Sequence, residues 1–370
     1  MIFSEVLLLI FTGVLFVQLL YWLSFSRLLF YKSDLDNKSA AKPPVSIILC
    51  ALNEAKNLKE LIPQILEQDY PEFELIVVDD RSTDDSYDYL IKLRDAFNNI
   101  KIVKIDTVPD HMDAKKYAII LGIKAATNDV LLFTDADCRL RSKNWIKQMA
   151  SEITDSTSIA LGFSPYKAES SLLNLIVNYE TVITATHYLS SALWGAPYMG
   201  VGRNLIYRKS LFLGKKGFNG FNKVTGGDDD LFINRHASGG NCRICIHPEA
   251  IVDSFPKKNW STYMKQKRRH LSVGKHYRSR DKWRLGLFAT SQILFWICFV
   301  TLAILKVYPY VVFGGFGLRL IIQIAVVGIG SEKLSNRFPV FLLPVSDLIY
   351  SIYLPALGIP ALLSKKVKWN

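Results

Sequence analysis

Residues 6–26 form a run of 21 without a single charge. About 20 apolar residues cross the hydrocarbon core of a bilayer, so this stretch reads as a transmembrane helix. A cleaved signal peptide is the rival reading. The residues before the run contain Glu5 and no Lys or Arg, and no small-residue cleavage site follows, which favours an uncleaved anchor. Arg27, Lys32 and Lys38 come next and, by the positive-inside rule, put the following segment in the cytoplasm.

The other end repeats the signal. Residues 285–305 are again 21 uncharged positions, bounded by Arg284 and Lys306. A second run, 307–330, is interrupted by Arg319; a third, 338–364, carries Asp347 and the prolines Pro339, Pro344, Pro355 and Pro360. A charge at membrane depth is costly, and is usually paired or turned to a cavity. Arg319 and Asp347 either pair with each other or, as the simpler expectation, Arg319 snorkels and Asp347 sits near an interface. Four full crossings would leave Lys365, Lys366 and Lys368 outside, against the charge rule. A re-entrant or proline-broken last segment would return this tail to the cytoplasm, and the sequence leaves both open.

Between these ends, from about 35 to 280, short β-branched runs alternate with helical patterns. Strands are expected at 44–50, 74–78, 100–105 and 130–134, with helices at 54–66, 86–97 and 115–126. Such alternation indicates βαβ units and a parallel sheet, which binds ligands at the carboxyl ends of its strands. Half the residues are hydrophobic and only five are Cys, which excludes disordered and disulfide-scaffold classes. Lys and Arg exceed Asp and Glu by 12, an excess that suits anionic partners.

Acidic motifs fall at those strand ends. The first strand runs into Asn53-Glu54 and the second into Asp79-Asp80, followed by Ser82 and Thr83, either of which can cap the next helix. Adjacent carboxylates repel, and hydrogen bonds from a ligand's donors would offset that; a solvated turn is the plainer alternative. The fourth strand ends in Asp135-Ala136-Asp137, whose two carboxylates face the same way in extended chain and can approach one hard divalent cation. Asp34-Leu35-Asp36 has the same D-x-D pattern in a linker, so position after a strand is what distinguishes the second copy. Further on, Asp228-Asp229-Asp230 opens a helical stretch to Arg235; one of the three can serve as a general base, or the cluster simply complements a helix dipole.

Residues 255–284 hold eleven Lys or Arg and one acid, Asp281, with Trp260, Tyr263, Tyr277 and Trp283 interleaved, directly before a span. A helix lying on anionic lipid explains this composition more simply than nucleic acid does. His236, Cys242, Cys245 and His247 have a zinc-like spacing, but C-R-I-C within a strand points its thiols to opposite faces, and no zinc is expected. The segment Gly200-Val-Gly-Arg-Asn204 lacks the third glycine of a dinucleotide fingerprint.

Taken in order, P-V-S-I-I-L-C-A-L-N-E, V-V-D-D-R-S-T-D-D-S, K-K-Y-A-I-I-L-G-I, F-T-D-A-D, G-D-D-D-L-F-I-N-R and Q-K-R-R-H resemble the family 2 glycosyltransferases of GT-A fold. The terminal anchor and C-terminal spans resemble the membrane-integrated branch that includes cellulose, chitin and hyaluronan synthases and ceramide glucosyltransferase. The resemblance implies an α/β, Rossmann-like GT-A domain at 35–254 between an anchor at 1–34 and a basic interfacial segment at 255–284. A transmembrane region at 285–364 and a basic tail at 365–370 would follow.

It also implies roles. Asp79 and Asp80 would hold the nucleotide base, with Asn53 and Glu54 on its ribose side. Lys115 would lie near the nucleotide, and Asp137 with Asp135 would hold Mg²⁺ or Mn²⁺ on the diphosphate. Counting back from Arg235 makes Asp229 the base and Asp228 its partner, and a one-residue shift exchanges them. Gln266 and Arg269 match Q-x-x-R-W, but His270 replaces the tryptophan, which argues against processive synthesis. The segment Gly200–Asn204 would border the acceptor. The implied activity is inverting transfer from a nucleotide sugar, UDP-linked rather than GDP-linked, at the cytoplasmic face of the cell membrane. The acceptor would be a growing cell-envelope polysaccharide or glycan, or alternatively a polyprenyl-phosphate or lipid. A catalytically silent nucleotide-sugar-binding scaffold is the reading outside enzymes.

Overall fold

The computed structural model describes residues 2–32 and 42–363. The Asp34-Leu35-Asp36 repeat, Lys38 and the basic tail lie outside the described residues. Two compact units emerge. One is built from described residues within 1–31, 169–190 and 258–366, the other from those within 32–168 and 191–257.

The second unit is a mixed α/β domain. Its strands are β1 (Val45–Ala51), β2 (Phe73–Asp80), β3 (Ile100–Ile105), β4 (Val130–Asp135), β5 (Cys138–Leu140), β6 (Ile159–Gly162), β7 (Leu205–Arg208), β8 (Cys242–Cys245) and β9 (Val252–Ser254). The first four form almost where the apolar runs place them: β1, β2 and β4 are buried on both faces between crossover helices, while β3, at the sheet edge, buries Ile100 and Ile105 and exposes Lys101 and Lys104. Those helices are Ala55–Leu66, Ser86–Ala96 and Ala114–Ala125. The main sheet has the order β3-β2-β1-β4-β7-β6-β8. β1 pairs in parallel with both β2 and β4, so the strand order reverses about β1 and opens a crevice at the carboxyl ends. Ala51 lies opposite Asp79 and Cys50 opposite Asp135, which sets these two acids on strands flanking β1. β7 joins antiparallel to β4 and β6, while β5 and β9 form a separate pair. The core holds Ile47, Leu49, Leu75, Val77 and Leu132 against Leu58, Leu61, Ile62 and Trp145, all with no exposure.

The first unit is helical. Four of its segments, Phe3–Leu28, Ser279–Ile304, Pro309–Lys333 and Val340–Leu363, are long and apolar enough to cross a membrane. Leu9, Phe16, Ile321 and Ile352 are more than 60% exposed along these helices, an outward apolar surface that suits lipid rather than water. Inward, Phe11, Phe295, Phe299 and Phe316 stack on one another. The structure corrects the simpler expectation for the two intramembrane charges. Arg319 does not snorkel and Asp347 does not sit at an interface: the two pair at 3.0 Å, both fully buried.

Residues 169–190 are also part of this unit, although the sequence reads them as continuous with the α/β region. They make up most of the helix Leu172–Leu193, whose Glu180 is 5% exposed. Glu180 accepts a hydrogen bond from the Tyr263 hydroxyl and pairs with Lys267, which fastens the basic helix Trp260–Val273 to it.

Candidate functional site

The turn after β1 and the turn after β2 are knitted together. Asn53 adopts a left-handed φ of +56°, and its side-chain carbonyl accepts from the Thr83 amide at 2.7 Å and the Asp84 amide at 3.3 Å. The Ser82 hydroxyl accepts from the Asn53 amide at 2.9 Å. Ser82 and Thr83 therefore do not cap the helix Ser86–Ala96, as the sequence suggests; Asp84 meets the Ser86 amide at 3.0 Å instead. Glu54 receives the Asn57 amide at 2.6 Å, and its amide donates to Ser86. Burial pushes the Glu54 carboxyl up, with the Asn57 bond opposing.

The two acids ending β2 differ. Asp80 is gripped by the Arg81 guanidinium at 2.8 and 3.2 Å. Asp79 is fully buried, and neither of its carboxylate oxygens has a hydrogen-bond partner. A buried carboxylate left this way is costly unless donors reach it, and both oxygens are available to accept them.

One cleft gathers Lys115, Asp135, Asp228 and Asp229 with Cys50, Thr134, Gly202 and Tyr207. The Lys115 ammonium donates to Asp135 at 3.1 Å and lies 3.5 Å from Asp228. Burial opposes its charge, but Asp135, Asp228 and Asp229 outweigh that and hold it well above the usual lysine range. Asp229 precedes the helix Asp230–His236 and accepts from the Asp230 amide at 2.7 Å. Its other oxygen accepts from the Gly202 amide at 2.6 Å. Burial and the charge of Asp228 push the Asp229 carboxyl up.

Asp137 is also pushed up, by burial and then by Asp135, with Arg203 opposing. Arg203 is held by Ser164 and by the Tyr166 hydroxyl at 2.9 Å, its plane 4.5 Å above the Tyr166 ring. Among the described residues no three His, Cys, Asp or Glu side chains converge as a closed metal cage, and the zinc-like cysteines lie on β8 without one. Asp135 and Asp137 nevertheless fit a divalent ion shared with a ligand. They offer two hard oxygens, and a cation would relieve the burial and repulsion at Asp137.

Gln266 and Arg269 lie on the helix Trp260–Val273, in the other compact unit. The resemblance put the segment Gly200–Asn204 beside the acceptor but did not single out Gly202, whose amide holds Asp229. A Cβ there would sit 3.0 Å from an Asp229 oxygen, so any larger residue would make the carboxylate give way by a few tenths of an ångström. The glycine-rich stretch was visible, but its partner is a backbone amide and carries no side-chain signature.

Residues 46–212 match the profile of Glycosyl transferase family 2. Among curated proteins, Glycosyltransferase AglE of Haloferax volcanii is 28% identical over 114 residues, 30% of this chain and 36% of that one. The 4,4'-diaponeurosporenoate glycosyltransferase of Staphylococcus haemolyticus is 25% identical over 163 residues, 42% of each. The chain thus spans less than half the length of these relatives. Among solved structures, the mannosyltransferase PcManGT of Pyrobaculum calidifontis, in complex with GDP-Man and Mn2+, superposes with a TM-score of 0.66 at 17% identity. That match covers 98% of this chain and 99% of that one, and it is a likeness of fold.

Proposed function

We propose that this chain, which carries a glycosyl transferase family 2 domain over residues 46–212, is a membrane-bound inverting glycosyltransferase. It would move a sugar from a nucleotide-diphosphate donor to a membrane-proximal acceptor. The observation that carries this reading is the convergence of Lys115, Asp135, Asp228 and Asp229 on one cleft.

An inverting transfer is a single in-line displacement at the anomeric carbon. The acceptor hydroxyl must lose its proton as the new bond forms, and a carboxylate whose pKa is raised toward the working pH suits that task. Asp229 has that character, and the Gly202 amide fixes its orientation. Asp228 keeps Lys115 turned toward the cleft, where an ammonium can meet the charge growing on the departing nucleoside diphosphate. Asp79 would accept from the N–H groups of the base, and a uracil imide offers such a donor. Asp80 would assist Asp79 at the base, and Asn53 and Glu54 would line the ribose side. Asp135 and Asp137 would hold the divalent ion, Mg²⁺ or Mn²⁺, which when bound neutralises diphosphate charge; PcManGT was solved with Mn2+.

The four apolar segments and the exposed Lys265, Arg268 and Trp283 support residence on an anionic cytoplasmic leaflet. They equally favour a second reading, in which the acceptor is a polyprenyl phosphate or another lipid. The deciding experiment presents purified full-length protein with a panel of UDP- and GDP-sugars and measures nucleotide release, with and without Mn²⁺ and lipid-linked acceptors. Release from one donor supports the enzyme; no release from any, with nucleotide still bound, supports the silent scaffold.

A further inference from the structure

The two neighbouring lysines at the start of the helix Ala114–Ala125 do different things. Lys115 meets carboxylates; Lys116, with no exposed surface, meets main chain. Its ammonium donates to the carbonyls of Val224 and Gly226. The rings of Phe218 and Phe221 flank it at 6.0 and 5.9 Å. A buried ammonium is costly unless oxygens replace its water, and an apolar side chain such as methionine, having no donor, would leave both carbonyls unsatisfied.

Those carbonyls belong to the turn that delivers the acids. Gly226 and Gly227 take left-handed φ values of +77° and +72°, and Asp228 and Asp229 follow at once. The same two segments are strapped elsewhere. The Asp113 amide donates to the Asn222 carbonyl at 2.8 Å, and the Asn222 side-chain amide to the His111 carbonyl at 3.2 Å. Asp113 caps the helix by accepting from the Lys116 amide at 3.3 Å, so the helix start and the diglycine turn are fixed as a unit.

We propose, resting on the transferase reading above, that Lys116 is a positioning residue for the reaction. By replacing water on the carbonyls of the diglycine turn, it sets where Asp228 and Asp229 stand over the cleft. It touches neither donor nor acceptor.

Full-length Lys116→Met, Lys116→Arg and Gly226→Ala are compared with wild type. Turnover is read on whichever UDP- or GDP-sugar the wild type uses, and nucleotide binding by calorimetry with UDP or GDP and Mn²⁺. Lys116→Met lowers kcat about a hundredfold while donor KM and nucleotide Kd stay within about twofold, because misplacing a base by an ångström costs that much. Lys116→Arg recovers to within about tenfold of wild type, having a cationic donor of similar reach. Gly226→Ala reproduces the loss of kcat, since a Cβ strains a left-handed turn. A folded Lys116→Met with kcat near wild type overturns the proposal. So does an equal loss of kcat and nucleotide binding across the variants, the mark of a merely structural lysine. Should Lys116→Met fail to fold, wild-type kcat in Gly226→Ala overturns it instead. A wild type without turnover on any donor removes the transferase reading and this proposal with it, whereas an active wild type beside an active Lys116→Met removes this proposal alone.

Discussion

Arg319 and Asp347, 28 residues apart in sequence, meet at 3.0 Å with side chains 1% and 0% exposed inside a bundle of apolar helices. Asp347 also accepts from Tyr179, Gln292 and Gln323 at 2.8–2.9 Å and from the Trp296 indole at 2.8 Å. Arg319 donates to Gln18 on the N-terminal helix and lies 4.5 Å over the Phe295 ring. One ion pair therefore links the N-terminal helix, all three C-terminal helices and the helix Leu172–Leu193. Two charges buried together rarely outperform apolar side chains in stability, but stranding one of them is expensive.

That asymmetry makes a prediction. Arg319→Leu strands Asp347 and lowers unfolding stability by about 3–5 kcal/mol. Adding Asp347→Leu removes the stranded charge and recovers part of the loss. It does not recover all, because the donors of Tyr179, Gln292, Gln323 and Trp296 then lack their acceptor. Thermal unfolding in detergent reads both variants; a double variant no more stable than the single one refutes the account.

Asp79 sets function against stability. Its two oxygens are buried without partners, so Asp79→Asn relieves a charge and raises the melting temperature of the ligand-free protein. The same change turns an acceptor oxygen into a donor facing the base. Donor KM rises about ten- to a hundredfold, as a lost charged hydrogen bond of about 1.5–3 kcal/mol requires, while kcat changes little. Unchanged KM would take Asp79 out of the nucleotide site.

Asp137→Ala removes one of the two carboxylates offered to the divalent ion. Mn²⁺-dependent turnover should disappear, and calorimetric titration of Mn²⁺ into the UDP- or GDP-bound protein should lose its tight phase. Normal turnover that EDTA still abolishes would mean the ion is held elsewhere.

The parts legible in the sequence were those with local causes. β1 to β4 and the helices between them follow from apolar runs that bury themselves on the nearest neighbour, and the predicted limits fall within a few residues of the observed ones. Other features depend on partners far along the chain. Glu180 draws the helix Leu172–Leu193 into the helical unit through Tyr263, 83 residues on. Arg319 is buried because Gln18, Gln323 and Asp347 satisfy it, and an interrupted apolar run alone resembles a snorkelling residue. Gly202 and Lys116 act on, or through, backbone atoms, for which no residue type is diagnostic. At Asn53 the sequence pointed to the right turn but not to its local bonds, since the side-chain carbonyl is spent on Thr83 and Asp84.

The pH dependence of kcat tests which acid is the base. Burial and the neighbouring Asp228 charge raise the Asp229 pKa, with Lys115 and two backbone amides opposing. A base works only when deprotonated, so kcat falls as pH drops through that raised value. The acid limb should then lie above the ordinary aspartate pKa of about 4. Asp228→Asn removes a like charge and leaves Lys115 to Asp229, so in the residual activity the limb moves to lower pH. Asp229→Asn eliminates transfer and the limb together while UDP or GDP still binds, since the role proposed for this carboxylate is toward the acceptor and not the nucleotide. An acid limb near pH 4 that Asp228→Asn leaves in place, or turnover surviving in Asp229→Asn, assigns the proton to another group, and Asp228 is then the next to test.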